Sequence, residues 1–217
     1  DIRDVLLVKK SSLNEKKKRL KIYTSSPRRI YNLGQGLTQL LPHHPDVDFE
    51  SVRGNVQTRV RKLLESDCDG LVLAKAGLDR LLGAEREEFS ATQQFLREAF
   101  QQIKWMVLPL SLNPTAAAQG ALAIEIASHR QDIHELLQAI HCSATYSSVQ
   151  QEREQLKAWG GGCHQKIGIN VLVRDYGTIK VAKGVRDTGE IISIYNLSSL
   201  KSQNGIFQQE PEKATWF

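Results

Sequence analysis

Three short apolar runs in the first half of the chain each stop at a cluster of small residues and arginine. This repeated junction constrains the fold more than any other feature. Leu20 to Tyr23 reads as a strand and runs into Thr24-Ser25-Ser26-Pro27-Arg28-Arg29. An alternating stretch with Val47, Phe49 and Val52 runs into Arg53-Gly54-Asn55-Val56-Gln57-Thr58-Arg59. Gly70 to Ala74, an apolar run suited to a buried parallel strand, is followed by Ala76-Gly77-Leu78-Asp79-Arg80. Strand followed by helix, repeated, predicts an open α/β sheet, and such sheets bind ligands outside the carboxyl ends of their strands. Hydroxyl groups and free N–H groups at a helix start suit an acid-bearing ligand, and Gly54 permits a close backbone approach. Arginine adds charge that no ordinary pH removes. Five guanidiniums at one rim repel one another unless anions sit among them. At ~4 Å in a partly screened site each guanidinium–carboxylate contact carries a Coulomb attraction of about 4 kcal/mol before desolvation. A ligand with several carboxylates is the natural partner. Taken singly, each junction also reads as an ordinary capped helix start with solvated arginines.

The chain has 217 residues, enough for one or two domains with a substantial core. A net charge of +5 is modest, with both signs mixed along the chain, and does not require nucleic acid. A nucleic-acid binder would show steep salt dependence, and the lysine-rich stretch from Lys9 to Arg19 lacks interleaved aromatics for base stacking. It reads as a solvated loop or linker. Three cysteines at irregular spacing argue against a disulfide framework or zinc site. The pair His43-His44, between Pro42 and Pro45, has no third ligand beside it and reads as a surface turn, so no metal is expected. No run is long enough to span a bilayer, and the expectation is a soluble, cytoplasmic protein without membrane or nucleic-acid partners. The chain opens on Asp1 rather than Met, which reads as a processed, cut or partial product.

Val5 to Val8 forms a plausible strand with no evident partner nearby, and Ile30 to Leu41 is helix-like apart from Gly34 and Gly36. Phe89 to Trp105 reads as helical in part, Val107 to Leu110 as a strand, and Ala121 to Ile126 as strand or helix. Gln131 to Ile140 is amphipathic, and Thr145 to Trp159 reads as a helix ending at Gly160-Gly161-Gly162. Three strands then alternate, Ile167 to Val173, Thr178 to Val185 and Glu190 to Tyr195, with hairpin signals at Asp175-Tyr176-Gly177 and Asp187-Thr188-Gly189-Glu190.

Cys163 follows the glycine run and sits beside His164 and Lys166. Glycines give access to a thiol, and cationic neighbours favour the thiolate. A loop cysteine without a role is the competing reading. Cys68 and Cys142 lie in periodic segments and read as buried small residues.

Taken together, five segments resemble the hydroxymethylbilane synthase, or porphobilinogen deaminase, family. They are Thr24 to Arg29, Arg53 to Arg59, Ala74 to Arg80, Gln119-Gly-Ala-Leu-Ala-Ile-Glu125, and Glu152-Arg153 leading to Gly161-Gly-Cys-His-Gln-Lys-Ile-Gly168. The resemblance implies an α/β fold with a periplasmic-binding-protein-like lobe, its mixed or parallel sheet carrying helices on both faces. A small C-terminal α+β domain with a three-stranded antiparallel sheet would follow. On that scheme residues 1–19 are the end of a first domain and hinge, 20–110 the arginine-lined lobe, 111–130 a return segment and hinge, and 131–217 the domain carrying the cofactor cysteine. Cys163 would hold a dipyrromethane cofactor through a thioether. Arg28, Arg29, Arg53, Arg59 and Arg80 would bind acetate and propionate groups, helped by Ser25, Ser26 and the backbone near Gly120. The implied reaction condenses four porphobilinogen molecules stepwise, releases ammonia, and ends in hydrolysis to hydroxymethylbilane, a step of porphyrin and haem biosynthesis. Neither Asp1 nor Asp4 matches the family's Lys-Asp motif, so the catalytic acid–base residue is unassigned, and Ala116-Ala117-Ala118 stands where the family usually has a proline and a glycine. The chain alone is therefore expected to be a catalytically incomplete portion, completed by a second chain or cut from a longer protein. The rival function is a non-catalytic polycarboxylate-binding module.

Overall fold

The structure, a computed structural model, describes residues 1–160 and 165–199. Two sheets organise it. The first has five strands: β1 (Asp4–Lys9), β2 (Arg19–Tyr23), β3 (Asp46–Glu50), β4 (Gly70–Ala74) and β5 (Ile103–Val107), in the spatial order β3-β2-β4-β1-β5. β2 is parallel to β3 and β4, while β1 runs antiparallel to both β4 and β5. Residues 4–9, for which the sequence suggests no partner, thus occupy the sheet interior. Their neighbours are contributed from about 65 and 100 positions downstream, as in the pairs Leu6↔Val72 and Leu6↔Met106.

Alternation along β1 and β4 explains why both faces are covered. Val5, Leu7, Leu71 and Leu73 point to one side, where α4 (Val56–Glu65), α5 (Lys75–Leu82) and α6 (Ser90–Gln102) add Val60, Leu63, Leu78 and Leu96. Leu6, Val8 and Val72 point to the other side, against Leu33 of α2 (Pro27–Gly34) and Leu37 of α3 (Leu37–Leu40). This two-sided burial is what a period of two produces in a strand sandwiched between helix layers. Lys9–Arg19 is not wholly solvated: Lys10–Asn14 forms the short helix α1, and Ser12 and Lys17 donate to the Asp69 carboxylate at 2.6 and 2.8 Å.

The second sheet is antiparallel, β6 (Gly168–Arg174), β7 (Gly177–Val185) and β8 (Ile191–Ser199); the hairpin expected at Asp175-Tyr176-Gly177 joins β6 to β7, with Arg174 paired to Gly177 across a two-residue loop. Helices α7 (Gln131–Leu137) and α8 (Ser143–Ala158) precede it, and Leu156 and Trp159 pack on its Ile167–Ile169–Ala182 core. Between Leu108 and Arg130 the backbone is irregular. Ala121 to Ile126, expected as strand or helix, is neither, and Leu122 and Ile124 are exposed.

Candidate functional site

Because β2, β3 and β4 run the same way, their carboxyl ends share one edge of the sheet. Three helices begin there: α2 after Ser26, α4 after Asn55 and α5 after Ala74. Ser26 caps α2 by accepting from the Arg29 N–H at 3.4 Å, and Asn55 caps α4 by accepting from the Thr58 N–H at 2.8 Å. α5 lacks a side-chain cap; the Lys75 N–H donates to the Arg3 carbonyl. Helix N-termini carry partial positive charge, so the edge favours anions before any side chain is counted.

The antiparallel strand β1 starts at this same edge, with Asp4 opposite Ala74. Asp4 is wholly buried, and its carboxylate gathers the site. Oδ2 accepts from Arg28 Nη2 at 3.0 Å, Arg29 Nε at 2.9 Å and Asn113 Nδ2 at 2.8 Å. Oδ1 accepts from Arg29 Nη2 at 2.7 Å and Gln119 Nε2 at 2.9 Å. Burial pushes the Asp4 carboxyl up, but the Arg29 and Arg28 guanidiniums outweigh it and bring its pKa down from 3.8 to about 2. Arg28 also donates to the Asn113 side chain and the Pro114 carbonyl, and Arg29 to the Val72 carbonyl. Burial lowers the Arg28 pKa, Asp4 opposes that shift, and Arg29 adds to it.

The candidate residues therefore divide. Arg28 and Arg29 are buried and already paired. Ser25 is engaged as well: its hydroxyl donates to the Val52 carbonyl, accepts from the Val52 N–H and bonds Ser51, tying the first junction to the second. Arg59 is half-buried, with Nε donating to the Gly54 carbonyl at 2.7 Å; desolvation first, then the nearby Arg29 charge, lowers its pKa. Arg53 is exposed, and among the described residues no partner holds its guanidinium. Arg80 is exposed in the last turn of α5, away from the helix start. Gly120, at φ +86°, packs against Ile2 and Ala76, where a side chain would be strained. Cys163 and His164 lie outside the described residues. Cys68 is buried, and burial chiefly pushes its thiol up to about 11, whereas Cys142, expected to be buried, is exposed.

Sequence reasoning gave no role to Asp4, Asn113, Gln119, Glu152 or Asn170, although Gln119 and Glu152 lie in segments that carry the family resemblance. Asn113 and Gln119 come from the irregular segment, which also docks the second sheet. The Thr115 N–H donates to Asn170 Oδ1 at 2.8 Å, and Asn170 Nδ2 donates back to the Thr115 hydroxyl at 2.6 Å. Glu152 of α8 accepts from the Ala118 N–H at 2.7 Å and the Val171 N–H at 2.9 Å. Burial raises its pKa against those two bonds and a further one from the Asn170 side chain. A cavity of about 640 Å³ opens beside it, walled by Ile2, Arg3, Gly120, Thr145, Val149 and Val173. It adjoins the arginine cluster at Gly120 without containing Arg28 or Arg29.

Fold and site together define a class: a mixed α/β lobe with three helix N-termini and buried guanidiniums at one sheet edge, joined through an irregular segment to a small α+β unit. A family model described as "Porphobilinogen deaminase, dipyromethane cofactor binding domain" matches residues 1–135. The porphobilinogen deaminase of Clostridium novyi (strain NT) is 36% identical over 195 residues, 88% of this chain and 58% of that protein. That of Synechococcus elongatus is 34% identical over 191 residues, 88% of this chain and 50% of that protein. That of Fusobacterium nucleatum subsp. nucleatum is 36% identical over 168 residues, 77% of this chain and 48% of that protein. The chain belongs to the porphobilinogen deaminase family, and it spans about half the length of the curated relatives it matches.

Proposed function

We propose that this chain serves hydroxymethylbilane synthesis, binding a pyrrole chain by its carboxylates while porphobilinogen units are condensed onto it with loss of ammonia. The observation that carries the reading is the Asp4–Arg28–Arg29 cluster at the edge where three helix N-termini converge. Its residues fit a polyanionic group. Asp4 brings one negative charge against the two positive charges of Arg28 and Arg29, and Arg59 and Arg53, which no carboxylate among the described residues pairs with, add positive charge at the second junction. When bound through Cys163, dipyrromethane would supply a free pyrrole carbon able to attack the electrophile left by ammonia loss. The chain's own contribution is to bind and orient. Arg53 and Arg59 are the guanidiniums most open to acetate and propionate groups, and Arg29 reinforces their field from beneath. Such preorganised charge and positioning account for much of the rate in a reaction of this kind. The finer domain scheme belongs with this reading: a periplasmic-binding-protein-like lobe, a hinge within 111–130, and a C-terminal unit bearing Cys163. No helix among the described residues is long and apolar enough to cross a membrane.

The test is intact mass and turnover of the full protein. We expect a covalent adduct that Cys163→Ser abolishes, together with porphobilinogen-dependent ammonia release. An unmodified thiol and no ammonia would leave the polycarboxylate binder standing instead.

A further inference from the structure

Glu152 is 4% exposed, its carboxylate sits at the wall of the cavity, and among the described residues no cation pairs with it. With the Asn170 side chain also bonded to it, this buried carboxylate rests on two backbone N–H groups, a costly arrangement unless those bonds do something specific. One of them comes from Val171 within the second sheet. The other comes from Ala118, which has φ +64°, a left-handed conformation that alanine adopts only at a cost. The next residue, Gln119, sends its side chain to the Ile2 carbonyl at 2.7 Å and to Asp4 Oδ1 at 2.9 Å. Asp4 in turn fixes Arg28 and Arg29. The chain of contacts is continuous: Glu152, the Ala118 backbone, the Gln119 side chain, Asp4, then the two guanidiniums.

We propose that Glu152 is a positioning residue for the arginine edge: it holds Ala118 in the left-handed turn from which Gln119 reaches Asp4. The C-terminal unit thereby sets the geometry of Arg28 and Arg29 although it contributes no charge to them. Glu152 touches no ligand in this account. It acts wholly through the turn at Ala118.

The experiment uses the full protein with Glu152→Gln, alone and combined with Ala118→Gly. Glutamine keeps the size but can accept at one oxygen only, leaving an amide N–H₂ against a backbone donor. The kinetic arm rests on the porphobilinogen reading. Loss of a contact that holds ground state and transition state alike raises KM and spares kcat. We expect Glu152→Gln to raise KM for porphobilinogen about tenfold, the effect of one unsatisfied buried donor, with kcat within about threefold. Adding Ala118→Gly should recover most of that loss, because glycine takes the left-handed turn unaided. An unchanged KM, or a double variant as impaired as the single one, overturns the proposal. If the wild-type protein does not consume porphobilinogen, the functional reading fails and hydrogen exchange judges the clamp. Exchange across Ala118–Gly120 then accelerates about tenfold in Glu152→Gln if the proposal holds, and an unaltered rate refutes it.

Discussion

Asp4 offers the sharpest test of how this site is built. Its carboxyl titrates at about 2 in the folded chain against 3.8 ordinarily. At roughly 1.4 kcal/mol per unit, that difference corresponds to about 2 kcal/mol of stability. The sign follows from the direction of the shift. A depressed folded pKa means that the ionised form favours folding, so the contribution is complete above pH 3.8 and lost as pH falls toward 2. Asp4→Asn removes the charge but keeps the size. At neutral pH it should cost about 3–5 kcal/mol, because two buried guanidiniums lose their counter-ion. The gap between wild type and variant should then shrink by about 2 kcal/mol between pH 5 and pH 2, since most of the wild-type contribution is lost over that range. Urea unfolding read by Trp105 on β5, with Trp159 and Trp216 replaced by Phe, reports on the lobe that holds Asp4. Taking the difference between the two proteins cancels the other carboxylates. Parallel pH profiles for wild type and variant would show that Asp4 is not held ionised by Arg28 and Arg29.

Three further outcomes follow from local geometry. Gly168→Ala would drive a methyl into the Pro114 carbonyl, so the segment around 114 and strand β6 must part; thermal unfolding of the C-terminal unit should drop by several degrees while the lobe holds. Leu71→Ala, at a wholly buried position of β4, should cost about 2–5 kcal/mol by urea denaturation. Asn55→Ala removes the cap on the Thr58 N–H and should cost about 1 kcal/mol; a neutral result would mean that water replaces the cap.

Elements governed by local pattern were legible in the sequence. The strands at Leu20, Val47 and Gly70, the helix after Pro27 and the hairpin at Asp175-Tyr176 all follow from periodicity and turn chemistry. The positive φ of His43 and His44 makes the turn that Pro42 and Pro45 signalled, while Ile30 to Leu41, helix-like apart from Gly34 and Gly36, divides between α2 and α3 at those glycines. What depends on distant pairing was not. Val107 to Leu110 was expected as a strand, but β5 spans Ile103–Val107, because register with β1 sets its limits; Leu108 instead enters the core below α2. Ala121 to Ile126 has strand-like composition and forms no strand, since β-propensity expresses itself only against a partner and none of the described strands pairs with it. Asp4 was invisible for the same reason. An aspartate at a strand start looks solvated until an antiparallel strand is threaded into the sheet and brings it to the arginine edge.

That threading changes the electrostatic argument made from sequence. Five guanidiniums at one rim seemed to require external anions, yet the chain supplies the first anion itself. Asp4 takes the Arg29 guanidinium side-on through Nε and Nη2 and Arg28 through Nη2, so those two residues contribute one net positive charge rather than two. Their bonds to Pro114 and Val72 also fix them, so no side-chain entropy remains to be lost there when a ligand arrives. Among the described residues no partner holds the Arg53 guanidinium and Arg59 donates to the Gly54 carbonyl, so on the proposed function these two would keep their charge for a ligand and be ordered by it. Arg80, at the far end of α5, stands apart from both groups. A rim built this way is rigid below and adaptable above. On the proposed function, a pyrrole chain lengthening during turnover would present its carboxylates at changing positions, and such a rim would follow them without loosening the charge beneath.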